Sequence, residues 1–133
     1  MKDIKKFINT QILTKNAQNL IESLPPNTKF CAVVKCNAYG HGVIPVCSTI
    51  CDMVDCFAVA SNREAVQVKR KFPNKNVLVL GGISTNFLRS AVKLGVILSA
   101  SNLQDLKILE DFASKQNGAV SFHLKLNTGM NRL

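Results

Sequence analysis

Short apolar runs alternate with longer stretches of helical periodicity along the whole chain. Five runs have the length of buried strands and cover residues 30–34, 56–60, 76–80, 96–100 and 120–126. Between them, apolar residues recur three and four positions apart. This spacing predicts helices over residues 12–24, 43–54, 61–72, 86–94 and 101–116. The pattern therefore predicts a regular succession of helices and strands, with no linker that divides the chain.

Residues that start or stop helices support these boundaries. Pro25-Pro26 ends the first helix, because an internal proline breaks the hydrogen-bond ladder. Two capping boxes and one C-cap mark later helix ends: Ser61 with Glu64, Ser101 with Gln104, and Asn117-Gly118.

Strands that are apolar on both faces and alternate with helices favour an α/β fold with a parallel sheet covered by helices. Five such units fit either an open doubly wound sheet or part of a (β/α)8 barrel, and periodicity does not separate these two. The 133 residues are too few for a complete barrel, which needs about 250. No glycine-rich dinucleotide loop and no P-loop follows any strand.

Composition and charge narrow the class of protein. Hydrophobic residues make up 47% and charged residues 19%, which is typical of a globular core. The formal net charge of +9 is spread along the chain, with one tight cluster of Lys69, Arg70, Lys71 and Lys75 at a predicted helix end. With one Tyr and no Trp, no stacking platform for nucleic acid is visible. We therefore favour a lysine-rich surface over a nucleic-acid or membrane interface. No apolar run reaches the roughly 18 residues that span a bilayer, and no secretory signal is recognised.

Five cysteines lie between residues 31 and 56. Their number is odd and no C-x-x-C pair occurs, so neither a disulfide framework nor a metal site is indicated. Cys31, Cys47, Cys51 and Cys56 lie among apolar residues and are predicted to be small buried hydrophobes in a reducing compartment.

The candidate chemistry lies where strands end, because active sites of parallel α/β folds occupy the carboxyl edge of the sheet. Lys35 directly follows the first apolar run. Burying an ammonium is costly and lowers the pKa of a lysine, and a neutral amine attacks carbonyl groups. The alternative is a lysine whose ammonium reaches solvent from the strand end.

Further polar residues leave the first and last predicted strands at the same edge. Tyr39 lies four residues beyond Lys35, and His41 lies between two glycines. The Tyr39 phenol is a candidate donor to a phosphate or a carboxylate, and the His41 ring is a candidate general base. The alternatives are a packing aromatic for Tyr39 and a hydrogen-bonded turn residue for His41. Lys125 ends the last strand, and Arg132 offers a planar fork for a carboxylate or phosphate. Together these cations and the phenol predict a small anionic ligand.

Two segments carry a resemblance to a known family. Residues 33–42 read VVKCNAYGHG, and residues 123–133 read HLKLNTGMNRL. The first resembles the pyridoxal-phosphate attachment motif of the alanine racemase family, and the second resembles that family's second N-terminal motif. Weaker agreement over residues 57–60, 64–65 and 77–81 joins them, so the resemblance covers nearly the whole chain in the family's order.

The resemblance implies a partial (β/α)8 TIM-type barrel of about five parallel βα units, truncated, with residues 1–133 as the N-terminal portion of the barrel and the C-terminal β domain absent. It implies pyridoxal 5'-phosphate bound to Lys35 as an internal aldimine, with Lys35 also a catalytic base. Tyr39 would bind the cofactor phosphate. Arg132 would contact the cofactor's phenolic oxygen and the substrate carboxylate. Lys125, at a position that the family often carbamylates, would orient Arg132.

The same resemblance implies a cytoplasmic, homodimeric isomerase that interconverts L- and D-alanine for peptidoglycan, without nucleic acid, membrane or metal. The family's second base is a tyrosine of the C-terminal half, which Tyr39 does not match, so we expect this chain to be inactive alone. Cys36 and Asn127 depart from the family's usual small residue and aspartate. A cofactor-binding module without racemase activity and a non-functional remnant are the alternative interpretations.

Overall fold

The computed structural model describes residues 5–116 and 118–131, so Asn117 and Arg132 lie outside the described residues. The elements in chain order are α1 (Thr10–Glu22), β1 (Cys31–Val33), α2 (Lys35–Tyr39), α3 (Val43–Ile50), a 3₁₀ turn (Cys51–Met53), β2 (Cys56–Val59), α4 (Asn62–Lys71), β3 (Asn76–Val79), α5 (Leu88–Lys93), β4 (Leu98–Ala100), α6 (Leu103–Gln116) and β5 (Phe122–Leu124). All the predicted strands and helices are present, and the short element α2 replaces the expected irregular turn. None of the described helices is long and apolar enough to cross a membrane.

The strands lie side by side in the order in which they occur in the sequence. β1, β2 and β3 form one parallel sheet, and β4 pairs with β5 in parallel. A parallel bridge between Leu78 and Ile97 joins the two sheets, and the Ile97 N–H donates to the Val77 carbonyl at 2.9 Å. Doubly wound sheets reverse their strand order at a switch point, whereas a barrel wall keeps the chain order. The observed order therefore decides between the two folds in favour of part of a barrel.

The helices follow the same order as the strands. α1 packs against α3, α3 against α4, and α4 against α5, while α4 also covers β2 and β3. The core lies at the central strands, whose fully buried side chains include Phe57, Val59, Val77, Val79 and Leu98. This layer of helices against the central strands supplies the rigid support for the carboxyl edge of the sheet.

The two outer strands are more exposed than the sequence predicted. Val33 on β1 is 42% exposed, and Phe122 and Leu124 on β5 are 42% and 57% exposed. Within the described residues each of these strands has a hydrogen-bonded neighbour on one side only. The prediction that all five strands are buried is therefore wrong for β1 and β5. Lys35 consequently leaves a strand that is itself partly exposed.

Side-chain caps fix the helix starts, in one case differently from the prediction. The Ser61 hydroxyl accepts the Glu64 N–H at 3.3 Å, as the first capping box predicts. The second box is shifted by one residue. The Asn102 amide oxygen accepts the Asp105 N–H at 2.9 Å, and the Asp105 carboxylate accepts the Ser101 N–H at 2.8 Å. Aspartate and asparagine thus take the places that the sequence assigned to glutamine and serine.

Part of the basic cluster has an internal role. The Lys69 ammonium is buried and donates to the Lys75 carbonyl at 2.7 Å, and the Lys75 ammonium donates to the Val54 carbonyl at 2.8 Å. These lysines therefore tie the end of α4 to the loop before β2. They do not form a continuous exposed stripe.

The cysteines differ in exposure and in acidity. Cys47 is buried and Cys51 and Cys56 are half-buried, but Cys31 is exposed, contrary to the prediction for that residue. Burial, with a smaller contribution from the nearby Cys51, raises the pKa of the Cys47 thiol to about 12. Cys31 and Cys56 are paired in register on β1 and β2. The neighbouring Cys56 thiol lowers the pKa of Cys31 to about 7, and the neighbouring Cys31 raises the pKa of Cys56.

Gly81 permits a close approach between the ends of β2 and β3. A Cβ atom at Gly81 would lie 2.3 Å from the Ala60 carbonyl oxygen, whereas a Cβ at Gly82 would meet nothing within 4 Å. We expect Gly81→Ala to lower the free energy of unfolding by about 2 kcal/mol, because backbone must move to relieve the clash. Gly82→Ala is the matched control and should change it by less than about 0.5 kcal/mol. Denaturant unfolding followed by circular dichroism measures both, and equal effects would contradict the close approach.

The pairing of Cys31 with Cys56 across β1 and β2 predicts a specific pH dependence of thiol reactivity. Because the thiolate is the nucleophile, alkylation of Cys31 should rise with pH through a midpoint near the pKa of about 7. Cys56→Ala removes the neighbouring thiol and should move that midpoint up toward the ordinary value of 9.0. Cys47→Ala should leave it unchanged. Peptide mass spectrometry after brief iodoacetamide treatment gives the profile, and an unmoved midpoint in Cys56→Ala would disprove the assignment.

Candidate functional site

The parallel strands bring five segments to one edge of the sheet. Lys35 follows β1, Ala60 follows β2, Gly81 lies just beyond β3, Ser101 follows β4, and Lys125 follows β5. Since all these strands run in the same direction, their carboxyl ends share this edge. The residues that the sequence singled out on the first and last strands therefore lie on the same edge, at opposite ends of the described sheet.

The segment after β1 has an uncommon backbone. Four successive residues that are not glycine, Cys36 to Tyr39, have φ values between 52° and 55°. Left-handed backbone costs roughly 1–2 kcal/mol for each such residue, because Cβ approaches the following carbonyl oxygen. Gly40 and Gly42 continue with φ values of 84° and 98°, which glycine adopts without strain. Lys35 therefore begins a left-handed turn that other contacts must stabilise.

Asn37, Ala38 and His41 supply contacts that hold this turn. The Asn37 amide oxygen accepts the Val43 N–H at 2.8 Å and so caps the start of α3. The His41 ring nitrogen Nδ1 lies 3.0 Å from the Ala38 carbonyl oxygen, and Ala38 itself is buried in the core. His41 thus has the hydrogen-bonded turn role that was the alternative to a general base. Asn37, for which the sequence analysis found no role, caps a helix.

Glu64 attaches the turn to the neighbouring strand. Its Oε1 accepts the Cys36 N–H at 2.8 Å, and its Oε2 accepts the Ala60 N–H at 2.8 Å. Hydrogen bonds to an ionised carboxylate are about twice as strong as those between neutral groups. The sequence marked Glu64 as half of a capping box and as part of the weaker agreement with the family. Neither signal showed that the carboxylate reaches across to the turn after β1.

Lys35 and Tyr39 share the turn and lie near each other. The Lys35 Nζ atom lies 6.0 Å from the centroid of the Tyr39 ring, which is the outer limit of a cation–π contact. Lys35 is half-buried and Tyr39 is 60% exposed. Neither the ammonium nor the phenol forms a hydrogen bond with another described residue. Both polar groups are therefore available to a ligand.

An apolar groove runs between the turn and α1. It is lined by Ile12, Leu13, Val33, Val34, Tyr39 and His41, among other residues. The turn thus presents Tyr39 and His41 toward this groove, while Lys35 is not among the residues that line it. The groove is separate from the lysine and was not anticipated from the sequence.

The last strand positions Lys125 at the same edge. Its N–H donates to the Ala100 carbonyl at 2.8 Å, and its ammonium donates to the Leu80 carbonyl at 3.2 Å. No hydrogen bond or ion pair joins Lys125 to Lys35 within the described residues. Arg132, the predicted partner of Lys125, lies outside the described residues. The structure therefore gives the position of Lys125, while the predicted role of Arg132 stays a prediction.

Asn127 organises the loop that follows Lys125. Its amide oxygen accepts the Asn131 N–H at 3.0 Å and the Gly129 N–H at 3.2 Å. Its Nδ2 donates to the Asn131 side-chain oxygen at 2.8 Å. An aspartate would supply the same acceptors but not this donor. The asparagine thus keeps the loop contacts without the negative charge.

Comparisons with known proteins agree with this geometry. A family model described as alanine racemase, N-terminal domain, matches residues 8–133. An alanine racemase from Francisella philomiragia is 38% identical over 126 residues, which are 95% of this chain and 34% of that protein. The chain therefore spans about a third of the length of the curated relatives that it matches.

Solved structures show the same fold. An alanine racemase from E. faecalis superposes with a TM-score of 0.83 and 27% identity over 95% of this chain and 34% of that one. An alanine racemase from Bartonella henselae with covalently bound pyridoxal phosphate gives a TM-score of 0.81 at 24% identity, covering 94% of this chain and 35% of that one. The order of the strands and these superpositions together confirm that the described residues form part of an α/β barrel.

The two contributions of Asn37 to the turn can be separated by mutation. Asn37→Ala removes the cap of α3 and also replaces asparagine, which tolerates left-handed backbone, by alanine, which does not, so we expect a loss of about 2 kcal/mol in the free energy of unfolding. Asn37→Gly removes the cap but accepts the backbone, so we expect a loss of about 1 kcal/mol. Chemical denaturation of both variants measures the difference. A glycine variant less stable than the alanine variant would contradict the left-handed assignment.

Proposed function

This chain belongs to the alanine racemase family, in the part that corresponds to the N-terminal domain, and we propose that it carries the lysine to which such a racemase attaches pyridoxal phosphate. The relatives that match it are named as racemases, which are isomerases. The observation that carries the proposal is the position of Lys35. It lies at the carboxyl edge of the sheet, on a turn built by the residues of the attachment motif.

The residues of the turn fit this cofactor. Lys35 has an ammonium without a described hydrogen-bond partner, and the exposed Tyr39 lies on the same turn with its ring centroid 6.0 Å from Nζ. An amine suits the aldehyde of pyridoxal phosphate, and a phenol suits its phosphate. When bound, the cofactor withdraws the electrons left after a substrate Cα proton is removed. The likeness to the B. henselae protein supports the fold alone, so the proposal depends on the motif and on Lys35.

Each residue of the site has a distinct proposed role. Lys35 Nζ holds the cofactor and transfers a proton to or from the substrate Cα on one face. The Tyr39 hydroxyl donates to the cofactor phosphate. Arg132 binds the substrate carboxylate and the phenolic oxygen of the cofactor through its planar guanidinium. Lys125, carbamylated at Nζ, orients Arg132 through the carbamate, and the position of Lys125 Nζ at the carboxyl edge of the sheet supports this role.

The complete activity is proposed from the family. Because the chain spans about a third of its relatives, the racemase reaction belongs to the whole protein and not to the described turn. We infer that the whole protein interconverts L- and D-alanine as a homodimer in the cytoplasm and supplies D-alanine for peptidoglycan. The opposite-face base, a tyrosine of the C-terminal half in the family, is not among the residues of this chain that match the motifs.

The attachment of the cofactor to Lys35 can be tested on this chain directly. Incubation with pyridoxal phosphate followed by borohydride reduction should add the mass of the reduced cofactor to the peptide that contains Lys35. Lys35→Ala should abolish that modification and the visible absorbance that accompanies it, because the nucleophilic amine is gone.

The control variant is Lys29→Ala, which removes an exposed lysine on the other side of β1. It should retain the full absorbance and the labelled Lys35 peptide. If the parent chain shows labelling no greater at Lys35 than at other lysines, the proposed function of this turn is wrong.

A further inference from the structure

One carboxylate connects the lysine turn to the rest of the sheet. Glu64 accepts the Cys36 N–H with Oε1 and the Ala60 N–H with Oε2, each at 2.8 Å. Cys36 follows β1 and Ala60 follows β2, so the two oxygens of one side chain join the ends of adjacent parallel strands. An ionised carboxylate suits this place because it only accepts hydrogen bonds and both neighbours are donors.

The position of Glu64 is itself firmly set. It lies in the first turn of α4, where its N–H donates to the Ser61 hydroxyl and the Ala65 N–H donates to the Ser61 carbonyl at 3.0 Å. α4 packs on both β2 and β3. The carboxylate is therefore held by the part of the structure that is most deeply buried.

The contact to Cys36 exceeds what helix capping requires. In a capping box the glutamate returns to the backbone of the cap residue. Here one oxygen reaches the residue before the cap, Ala60, and the other reaches a different strand. A purely structural cap has no need of the second contact.

That second contact acts on the backbone of Lys35. The Cys36 N–H belongs to the peptide group between Lys35 and Cys36. Fixing this peptide fixes the ψ angle of Lys35 and the left-handed φ of 52° at Cys36, and with them the direction of the Lys35 side chain. Among the described residues, Glu64 is the side chain that hydrogen-bonds this peptide, while Lys35 Nζ itself forms no hydrogen bond that would orient it.

We propose that Glu64 is a positioning residue for Lys35, which holds the peptide between Lys35 and Cys36 at the start of the left-handed turn and so aims the amine at the cofactor aldehyde. This inference rests on the proposed function for its chemical consequence. It assigns to Glu64 a role through Lys35 and no contact with substrate or cofactor.

The test compares the reactivity of Lys35 in the parent chain, Glu64→Gln and Glu64→Asp. Glutamine keeps the size but turns one acceptor into a donor that faces an N–H. Aspartate keeps the charge but is one methylene too short to reach both strands. We expect both variants to label at Lys35 about 10-fold more slowly than the parent with pyridoxal phosphate and borohydride, since misplacement of a reacting group costs rate. Labelling of the exposed Lys107 in the same sample is the internal standard.

Asp105→Asn is the matched control for loss of stability. Asp105 caps α6 through the Ser101 N–H, as Glu64 caps α4, but it does not contact the lysine turn. Thermal unfolding should show a lower Tm in both Glu64→Gln and Asp105→Asn, while labelling of Lys35 should fall only in the former. An equal fall in both variants would mean that general loosening is the cause, and unchanged labelling in Glu64→Gln would mean that Glu64 only caps α4. Parent-like labelling in Glu64→Asp would show that charge alone suffices. Each of these results overturns the proposal.

Two further measurements do not depend on the cofactor. In the parent chain, the Cys36 amide should exchange with solvent deuterium as slowly as the amides of β2, and fast exchange would show that the bridge is not formed. Tyr39 is the single tyrosine in a chain without tryptophan, so its fluorescence reports on the turn. It should change in Glu64→Gln and not in Asp105→Asn. If the parent fails to label at Lys35, the proposed function fails, but these two measurements still decide whether Glu64 holds the turn.

Discussion

The left-handed backbone from Cys36 to Tyr39 is the constraint on which the candidate site depends. Each of these residues is less stable in this conformation by roughly 1–2 kcal/mol than in an ordinary one. A hydrogen bond contributes only about 1 kcal/mol net, so several are required to hold the turn. The Glu64 carboxylate, the Asn37 cap, the His41 ring and the burial of Ala38 together supply this stabilisation. In return the turn places Lys35 and Tyr39 on one short segment at the edge of the sheet.

The order of the strands places this turn on the same rim as the other candidate residues. Parallel strands in chain order present their carboxyl ends along one rim, and each crossing helix supports the strand before it. The turn after β1 is attached to this rim at β2 by Glu64, and Lys125 is attached to it at β3 through the Leu80 carbonyl. The positions of both lysines are thus held by hydrogen bonds to the ends of the central strands. Gly81 lets the ends of β2 and β3 lie close together, because a side chain there would meet the Ala60 carbonyl oxygen. A displacement of β2 or β3 would therefore move both ends of the site.

Much of the fold was predictable because it depends on local patterns. Apolar periodicity located every described strand and every described helix except the short α2, and Ser61 marked the start of α4. Periodicity carries no information on strand pairing, so it left the open sheet and the barrel undecided. The resemblance implied the barrel, and the bridge from Leu78 to Ile97 shows the strand order that a barrel wall requires. Lys35 and Tyr39 were found from their place after a strand. The role of Glu64 was missed because its partner Cys36 is distant in sequence, and Asn37 was missed because left-handed backbone has no simple pattern outside glycine.

The length of the lysine motif has a physical explanation in these contacts. The proposed chemistry uses only the amine of Lys35 and the hydroxyl of Tyr39. The other positions serve the backbone: glycine where φ is positive at 40 and 42, asparagine where a left-handed residue must also cap a helix, alanine where the side chain enters the core, and histidine where a carbonyl needs a donor. Position 36 is different, because its side chain is exposed and its hydrogen bonds are made by the backbone: its N–H donates to Glu64 and its carbonyl accepts the Gly40 N–H. A cysteine therefore fits there without disturbing the bridge to Glu64, so the departure from a smaller residue leaves the geometry of the turn intact.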